Sequence, residues 1–539
     1  MVDHVPDEPR AVLDRFTPSP PMTTSLPERE SPLRYGVWRH LALALLTGVP
    51  GGFVVFAAGC GGGGEDDASC CDPSQVWGEI SVTLNPRSTL SAMVQATTTI
   101  PVRVAVEFTD SMGFARRTNW SAPGLEHELV VVGMRAKQSY ELEVVAQASS
   151  DADDVELARA SRTFETGALP PDTRLPVSVD VEDGAYRSSY TLVGPGRRPT
   201  LDPPADTNEP LAYALDGDGE VVWYYADVTV PNYFIERDVK QRADGALMVN
   251  VPNGLRLIDI AGRELLTLLS PDPKLIIHHD NIFLPGGGYL SLTRENRVVL
   301  APSQGGDVLL SGDGLLEWDP EGNVVWQWST FDHLDVDRFP GFLSATGSVF
   351  GGGALDWTHG NGLFYREDTN SYLVSLRHQN WVVDVARETG EVRWILGDGG
   401  DFSLANGGGD AAAEWFYSQH APSMDPDGTI LLYDNGNERP NAPDSYSRAV
   451  RYRLDEDTMV ATQEWSYAVE NYTLFLGGAE SLADGGVLVC AGGVLGVEAP
   501  AEIVEVPPDP VAPTRWRIVY GSDSVVYRAT RISSFYPGQ

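Results

Sequence analysis

Cysteine is nearly absent from this sequence. There are four in 539 residues, Cys60, Cys70, Cys71 and Cys490. So few, with two adjacent, exclude a disulfide framework and a cysteine-based metal site. At most, Cys70 or Cys71 is left to pair with Cys490. Positive charge is also scarce: 38 Lys plus Arg face 76 Asp plus Glu, a formal net charge of −38 at pH 7. Such a chain repels phosphate backbones, which argues against a nucleic-acid partner. Beyond Cys60 no stretch reaches the roughly 20 apolar residues of a membrane span. There is no GxxxxGK[ST] loop and no GxGxxG, so nothing cradles a nucleotide phosphate. GPGR at Gly194–Arg197 reads as a turn. Histidine is sparse, at nine, and neither HxH nor HExxH spacing occurs.

Glycine is plentiful at 55 residues, aromatics make up 9% and tryptophan reaches 13. This mix suits short strands joined by tight turns. Residues 1–30 are polar and proline-rich. A basic flank follows at Arg34, Arg39 and His40, then an apolar run from Leu41 to Ala58 that ends in AAGC at Cys60. Basic flank, apolar run, small residues and cysteine resemble a bacterial lipoprotein signal, with Cys60 as the lipidated residue. Ala57 stands where such signals usually carry leucine. The lead is long, which makes Met22 a candidate start. The expectation is an exported lipoprotein, anchored in the membrane through lipid and facing the periplasm or cell surface.

The remainder divides into a tether (61–78), a small β domain (79–178), a bridge (179–210) and a larger β domain (211–535). In the small domain ISVTLNP, VRVAVEF, HELVVVG and YELEVVAQ alternate with the strand period. A fibronectin-like sandwich is the expected fold. Its one histidine, His127, reads as a surface or strand-edge residue. In the larger domain, turns lead repeatedly into tryptophan strands: GEVVWYY, GNVVWQW, GEVRWIL and QEWSY. A second set, DGALMV, GGYLSL, NSYLVSL, DGTILLYD and DGGVLV, recurs about 40 to 60 residues apart with one larger gap, the spacing of four-stranded propeller blades. Six blades are expected, with an extra blade in the gap at 290–370. Trp223, Trp326 and Trp394 are expected to wedge between sheets.

Five histidines fall near strand ends among polar groups: His278, His279, His359, His378 and His420. The sixth in the large domain, His333, reads as a surface loop residue. A propeller gathers the corresponding ends of its inner strands around one channel, so distant segments can share a pocket. LIIHHDNIFL supplies His278, His279, Asp280 and Asn281. LDWTHGNGLFY supplies Asp356, His359 and Asn361, and SLRHQNW supplies Arg377, His378, Gln379 and Asn380. QHAPSMDPDGTILLYDNGN supplies Gln419, His420, Asp434, Asn435 and Asn437, and YSRAVRYRL adds Arg448 and Arg451. Two chemistries can use this set. One is a histidine–aspartate metal site, which would not need Arg377. The other is nucleophilic attack by a neutral imidazole on an anion, with imidazole, guanidinium and amide donors on the oxyanions.

DWTHGNGLFY, SLRHQNWVVDVARETGEVRWILG and QHAP…DGTILLYDNGN resemble the bacterial arylsulfate sulfotransferases, six-bladed propeller enzymes that move sulfate without a nucleotide. The resemblance covers about 210–520 and implies an all-β fold, a six-bladed propeller behind a small fibronectin-like sandwich. It implies transfer of a sulfuryl group from an aryl sulfate to a phenol by a ping-pong route. It makes His420 the residue transiently sulfated, Arg377 the contact to sulfuryl oxygens, and His359 and Asn361 their neighbours. An earlier histidine completes the set, with His279 preferred over His278. His278 and His378 join Asn361 as expected substrate contacts. No cofactor and no metal are expected; the partners are the small-molecule donor and acceptor. Hydrolysis of aryl sulfates, a quinone-type propeller oxidoreductase and a non-catalytic binding propeller stay open. The glycine- and alanine-rich loop 397–414 identifies no phenol-binding wall.

Overall fold

A computed structural model describes residues 75–148, 155–182, 187–198, 209–231, 234–340, 349–350, 353–406, 413–440, 446–493 and 500–537. Cys60, Cys70, Cys71 and the signal-like lead lie outside them. Among the described residues the regular elements are β-strands and three short 3-10 turns, so the fold is all-β. No described helix is long and apolar enough to cross a membrane.

The first sheet is built on one long strand, Ser88–Thr109. Its first half pairs with Trp77–Asn85 and Gly124–Val131, and its second half with Ala115–Arg117 and Ser139–Ala148. Glu156–Glu165 completes the set beside Ser139–Ala148. The register breaks between Thr97 and Val102, around Pro101, which has no N–H to give a ladder. Alternate residues of both halves, among them Val94, Val104 and Val106, are fully buried in one core with Leu142 and Val144 of the neighbouring strand. His127 is more enclosed than its edge position implies: it is buried, with Nδ1 2.8 Å from Ser121 Oγ.

Six sheets of four to six strands make up the rest of the described residues, each with four antiparallel principal strands, and Ala354–Asp356 and Ser403–Asn406 add parallel pairings to two of them. The first of them joins distant segments: Val221–Tyr225, Ala212–Leu215, Tyr190–Arg197 and, last, Ser524–Ile532. The others are consecutive. Their leading strands are Val239–Gln241, Ile276–Phe283, Gly360–Arg366, His420–Met424 and Gly478–Ser481. The second strands, Leu247–Val251, Ser371–Leu376, Thr429–Asp434 and Val487–Ala491, are buried along their whole length. Both their faces are covered, which is why they read as continuous apolar runs. Leading strands touch in order: Ile276–Phe283 meets Gly360–Arg366, which meets His420–Met424, then Gly478–Ser481, then Ser524–Ile532, then Val239–Gln241.

Tryptophan pins neighbouring sheets in a repeated way. Trp223 Nε1 donates to Ile260 O (2.9 Å), Trp328 to Gly390 O (2.8 Å), Trp465 to Pro508 O (3.1 Å) and Trp516 to Gly217 O (3.0 Å). In each case an indole on the outermost of the four antiparallel principal strands reaches the turn between the third and fourth such strands of the next sheet. Trp326 does lie against the next sheet, its ring 5.7 Å from that of Tyr372, but it does not make the hydrogen-bonded pin. It is only partly buried, and Trp328, two residues on along the same face, makes the pin. Trp394 is 2% exposed and packs on Phe402.

The gap at 290–370 holds no extra four-stranded sheet among the described residues. Tyr289–Ala301 and Gly306–Trp318 pair over their full length as one long hairpin of the third sheet, so ENRVVL simply prolongs the GGYLSL strand. The segment read as a bridge contributes strands instead. Pro176–Val181 lies along Trp516–Tyr520, and Tyr190–Arg197 sits between Ala212–Leu215 and Ser524–Ile532. Cys490 is buried and has no disulfide partner among the described residues, and burial pushes its thiol pKa up. His333 is exposed and stacks on Trp328.

Candidate functional site

Four leading strands break register at comparable points: between Ile277 and Asn281, Gly360 and Gly362, His420 and Ser423, and Val526 and Ala529. Such irregularities re-aim side chains and cluster near active sites. They carry His278, His279, Asn361, His420, Tyr527 and Arg528. His279 and His359 also hold positive φ angles, 53° and 48°, and Ala421 follows His420 at 48°. Side-chain-bearing residues rarely adopt this conformation, and surrounding structure must hold them there.

His279, His359 and His378 form a line of rings. The His279 and His359 centroids are 5.0 Å apart, and those of His359 and His378 are 4.6 Å apart. His278 turns the other way, its Nε2 2.9 Å from Asp313. Its Nδ1 lies 2.6 Å from Nδ1 of His279. Glu236 accepts the backbone N–H of His279 at 2.9 Å and stands 3.3 Å from its ring. Tyr527 OH and Asn250 Nδ2 both donate to His279 O at 2.8 Å, which holds the bulge. Burial first, then His278, His359 and His420, holds His279 well below the usual imidazole range.

Asp356 bonds His359 Nδ1 and presents its backbone carbonyl to His378 Nδ1 at 2.8 Å. Burial alone would raise the Asp356 carboxyl, but His359 and His378 hold it below the ordinary range. Arg377 begins the 3-10 turn Arg377–Gln379. Its Nη1 donates to His378 Nε2 at 2.7 Å and its Nη2 to Leu474 O at 2.9 Å. Both ring nitrogens of His378 are therefore engaged by protein, and burial pushes its pKa down to about 3. Burial also lowers Arg377 to about 10. Asp356, His359 and His378 bring ligand atoms within 4.8 Å of one another. A cation there would displace the Asp356–His359 bond and face the Arg377 guanidinium, so the trio reads as a hydrogen-bonded network.

His420 is 2% exposed. Its Nδ1 lies 2.6 Å from Asn435 Oδ1. Burial, and next the Arg377 guanidinium, push its pKa well below the usual imidazole value, and His359 and Arg528 act in the same direction. His420, Arg377, His359 and His279 thus lie within one electrostatic neighbourhood. Asn361 donates to Gln419 O at 2.8 Å, immediately before His420.

Arg528, which no motif signals, closes the arrangement. It is buried and pairs with Asp238 (2.9 Å) and Asp280 (2.8 Å) while donating to Asn361 O (2.6 Å). Lys240 bonds the same two carboxylates. Asp280 is thereby a partner for cations, not for the histidines. Beyond it opens a cavity of about 870 Å³ that takes residues from all six leading strands: Lys240, Asp280, Leu363, Ala421, Glu480 and Arg528. Asp434 pairs with Arg439 and Arg448, and Arg451 with Ser481 Oγ. Those residues brace the fifth and sixth sheets. Gln379 and Gln419 are likewise spent on Trp357 O and Trp381 O.

The family described as Arylsulfotransferase (ASST) matches residues 182–528. Two curated relatives share its name. The arylsulfate sulfotransferase AssT of Escherichia coli O6:H1 is 26% identical over 322 residues, and that of Lelliottia amnigena 24% over 324. Each alignment covers 48% of this chain and 53% of the relative, so the chain spans about half the length of these relatives. Among solved structures, a protein of unknown function from Bacteroides caccae reaches a TM-score of 0.41 at 13% identity, over 64% of this chain and 99% of that one. The periplasmic gluconolactonase of Pseudomonas aeruginosa reaches 0.33 at 12%, over 80% and 99%. Likenesses at that level bear on neither fold nor activity. The match over 182–528 takes in well over half of the sequence and the whole histidine cluster: the chain belongs to the arylsulfotransferase family.

Proposed function

We propose that this protein transfers a sulfuryl group from an aryl sulfate to a phenolic acceptor through a sulfohistidine on His420. The six sheets act as blades of one closed propeller, behind a fibronectin-like sandwich. Ordered contacts between leading strands, a cavity lined by all six, and the tryptophan pins support that architecture. Family membership supports sulfuryl-transfer chemistry in general. The observation that carries the assignment to His420 is its state. It is buried on a bulged strand, its pKa is driven far down, and a guanidinium is its chief charged neighbour. A neutral ring is the nucleophilic form, and Arg377 is the charge an incoming anion needs.

The His420 ring attacks sulfur, the sulfur–oxygen bond to the aryl group breaks, and phenolate leaves with the electron pair. Arg377, His359 and Asn361 bear on the remaining sulfuryl oxygens. Asp356 orients His359, and His378 holds Arg377. His279, neutral beside Glu236, takes the proton of the incoming phenol in the second half-reaction and passes it to solvent, from which the phenolate released in the first half-reaction takes its proton. Geometry favours His279 over His278 for this task, because His278 faces Asp313. The protein is exported and anchored through a lipidated Cys60. Initial rates over a grid of nitrophenyl sulfate and phenol concentrations test the route. Parallel double-reciprocal lines are expected; intersecting lines, or equal phenol release without an acceptor, overturn it.

A further inference from the structure

We infer that Asn435 is a positioning residue that locks His420 in the tautomer with the proton on Nδ1, so that Nε2 presents a bare lone pair; this rests on the reading of His420 as sulfuryl acceptor. Asn435 closes the strand Thr429–Asp434 and faces the turn before Gly478–Ser481. One end of its amide lies 2.9 Å from Thr473 O and 3.0 Å from Leu476 O. Carbonyl oxygens can only accept, so that end is the NH₂ group. The other end, 2.6 Å from His420 Nδ1, is therefore the oxygen and must receive a proton from the ring. The assignment does not depend on how the amide is drawn, because two acceptors fix it. Leu476 holds φ at 61°, a conformation that a leucine seldom adopts. Ser447 Oγ donates to Asn435 O at 2.8 Å and pins the backbone.

The choice of an amide over a carboxylate has a chemical consequence. When Nε2 takes the sulfuryl group, the ring keeps its Nδ1 proton and becomes a sulfoimidazolium. A neutral amide oxygen cannot remove that proton. In the second half-reaction the nitrogen–sulfur bond then breaks to release neutral imidazole, a good leaving group, as the phenol oxygen bonds sulfur. A carboxylate at 435 would draw the proton away, leaving a neutral N-sulfoimidazole that must depart as imidazolate. Asn435 thus keeps the intermediate reactive, and its effect falls on the second transfer.

Two measurements test this. The full chain, labelled with ¹⁵N-histidine, is studied by long-range ¹H–¹⁵N correlation from pH 5 to 8, with His420 assigned by comparison with His420→Asn. The expected His420 pattern has a protonated Nδ1 and a bare, strongly downfield Nε2 throughout. A proton on Nε2, or a ring that titrates to imidazolium, overturns the inference. This reading needs no substrate, so failure of every aryl sulfate to label the enzyme would sink the transferase function separately. In Asn435→Asp, quenched-flow with nitrophenyl sulfate should show turnover reduced about 100-fold or more and the burst less than about tenfold, with sulfated enzyme accumulating. A parallel fall of burst and turnover contradicts it. If that variant does not fold, the tautomer measured in the parent protein still upholds or overturns the inference.

Discussion

The guanidinium of Arg377 donates to Nε2 of His378, the next residue in sequence, at 2.7 Å. The 3-10 turn folds one side chain back on the other and keeps the guanidinium as the chief charged neighbour of His420. Arg377→Ala should lower kcat by about 10²- to 10³-fold, the loss typical of an oxyanion donor. Arg377→Lys should recover little, since a point charge cannot reproduce the fork. His378→Ala should lower kcat with a smaller change in KM. Wild-type kcat in Arg377→Lys would show that only net charge matters there.

Acid should unfold this protein by a predictable route. Burial holds His279 and His420 far below the ordinary imidazole value, and His378 at about 3. The unfolded chain protonates these rings as pH drops through about 6.5, while the native state does not. Each ring therefore contributes stability that is complete above that value and is lost as pH falls toward its folded value. The slope is about 1.4 kcal/mol per pH unit per ring. Denaturant unfolding at pH 7.5 and 5.5 should show the loss, with a shallower slope in His420→Asn. The burst rate with donor should stay flat through 6.5; an inflection there would mean that His420 titrates normally.

Trp223 and Trp516 should matter more for stability than Trp326. Trp223→Phe removes a buried indole donor from Ile260 O and should cost about 1 kcal/mol; Trp223→Ala should cost about 3–5. Trp326→Ala, at a partly buried site, should cost less than half as much. Urea titrations with an unchanged m-value check this, and equal losses at both positions would contradict the pinning role.

Much of this layout can be read from the residues. Period-two runs mark the strands, and four histidine-bearing segments mark the cluster. The limits have physical causes. Trp326 and Trp328 share one face in GNVVWQW, and only packing against the next sheet decides which becomes the pin. Arg528 and Tyr527 lie in VVYRATRI, an ordinary strand pattern. Their place beside His279 and Asn361 depends on the last strand pairing with Tyr190–Arg197, hundreds of residues away. Asp313, in SGDGLLEW, meets His278 only through the long hairpin register.

Gly362 shows how closely two leading strands approach. A Cβ there would stand 2.6 Å from Pro422 Cδ and 2.9 Å from Ala421 N, directly after His420. Gly362→Ala must push that strand aside and with it His420. We expect about a 100-fold loss in kcat, since small misplacements near the reacting atoms are costly. Its circular dichroism should remain native. An alanine variant with unchanged kcat would mean that His420 is not where the chemistry occurs.

The most direct test is to look for the intermediate itself. The enzyme is mixed with nitrophenyl sulfate without acceptor, quenched at mildly alkaline pH because an N-sulfo bond is acid-labile, and digested. The peptide that contains His420 should gain one sulfuryl group, about 80 Da by atomic composition, in an amount equal to the phenol burst. His420→Asn should lose both label and burst and still fold. A label on His359 or His279, or an asparagine variant that transfers sulfate at the parent rate, would contradict the assignment of His420.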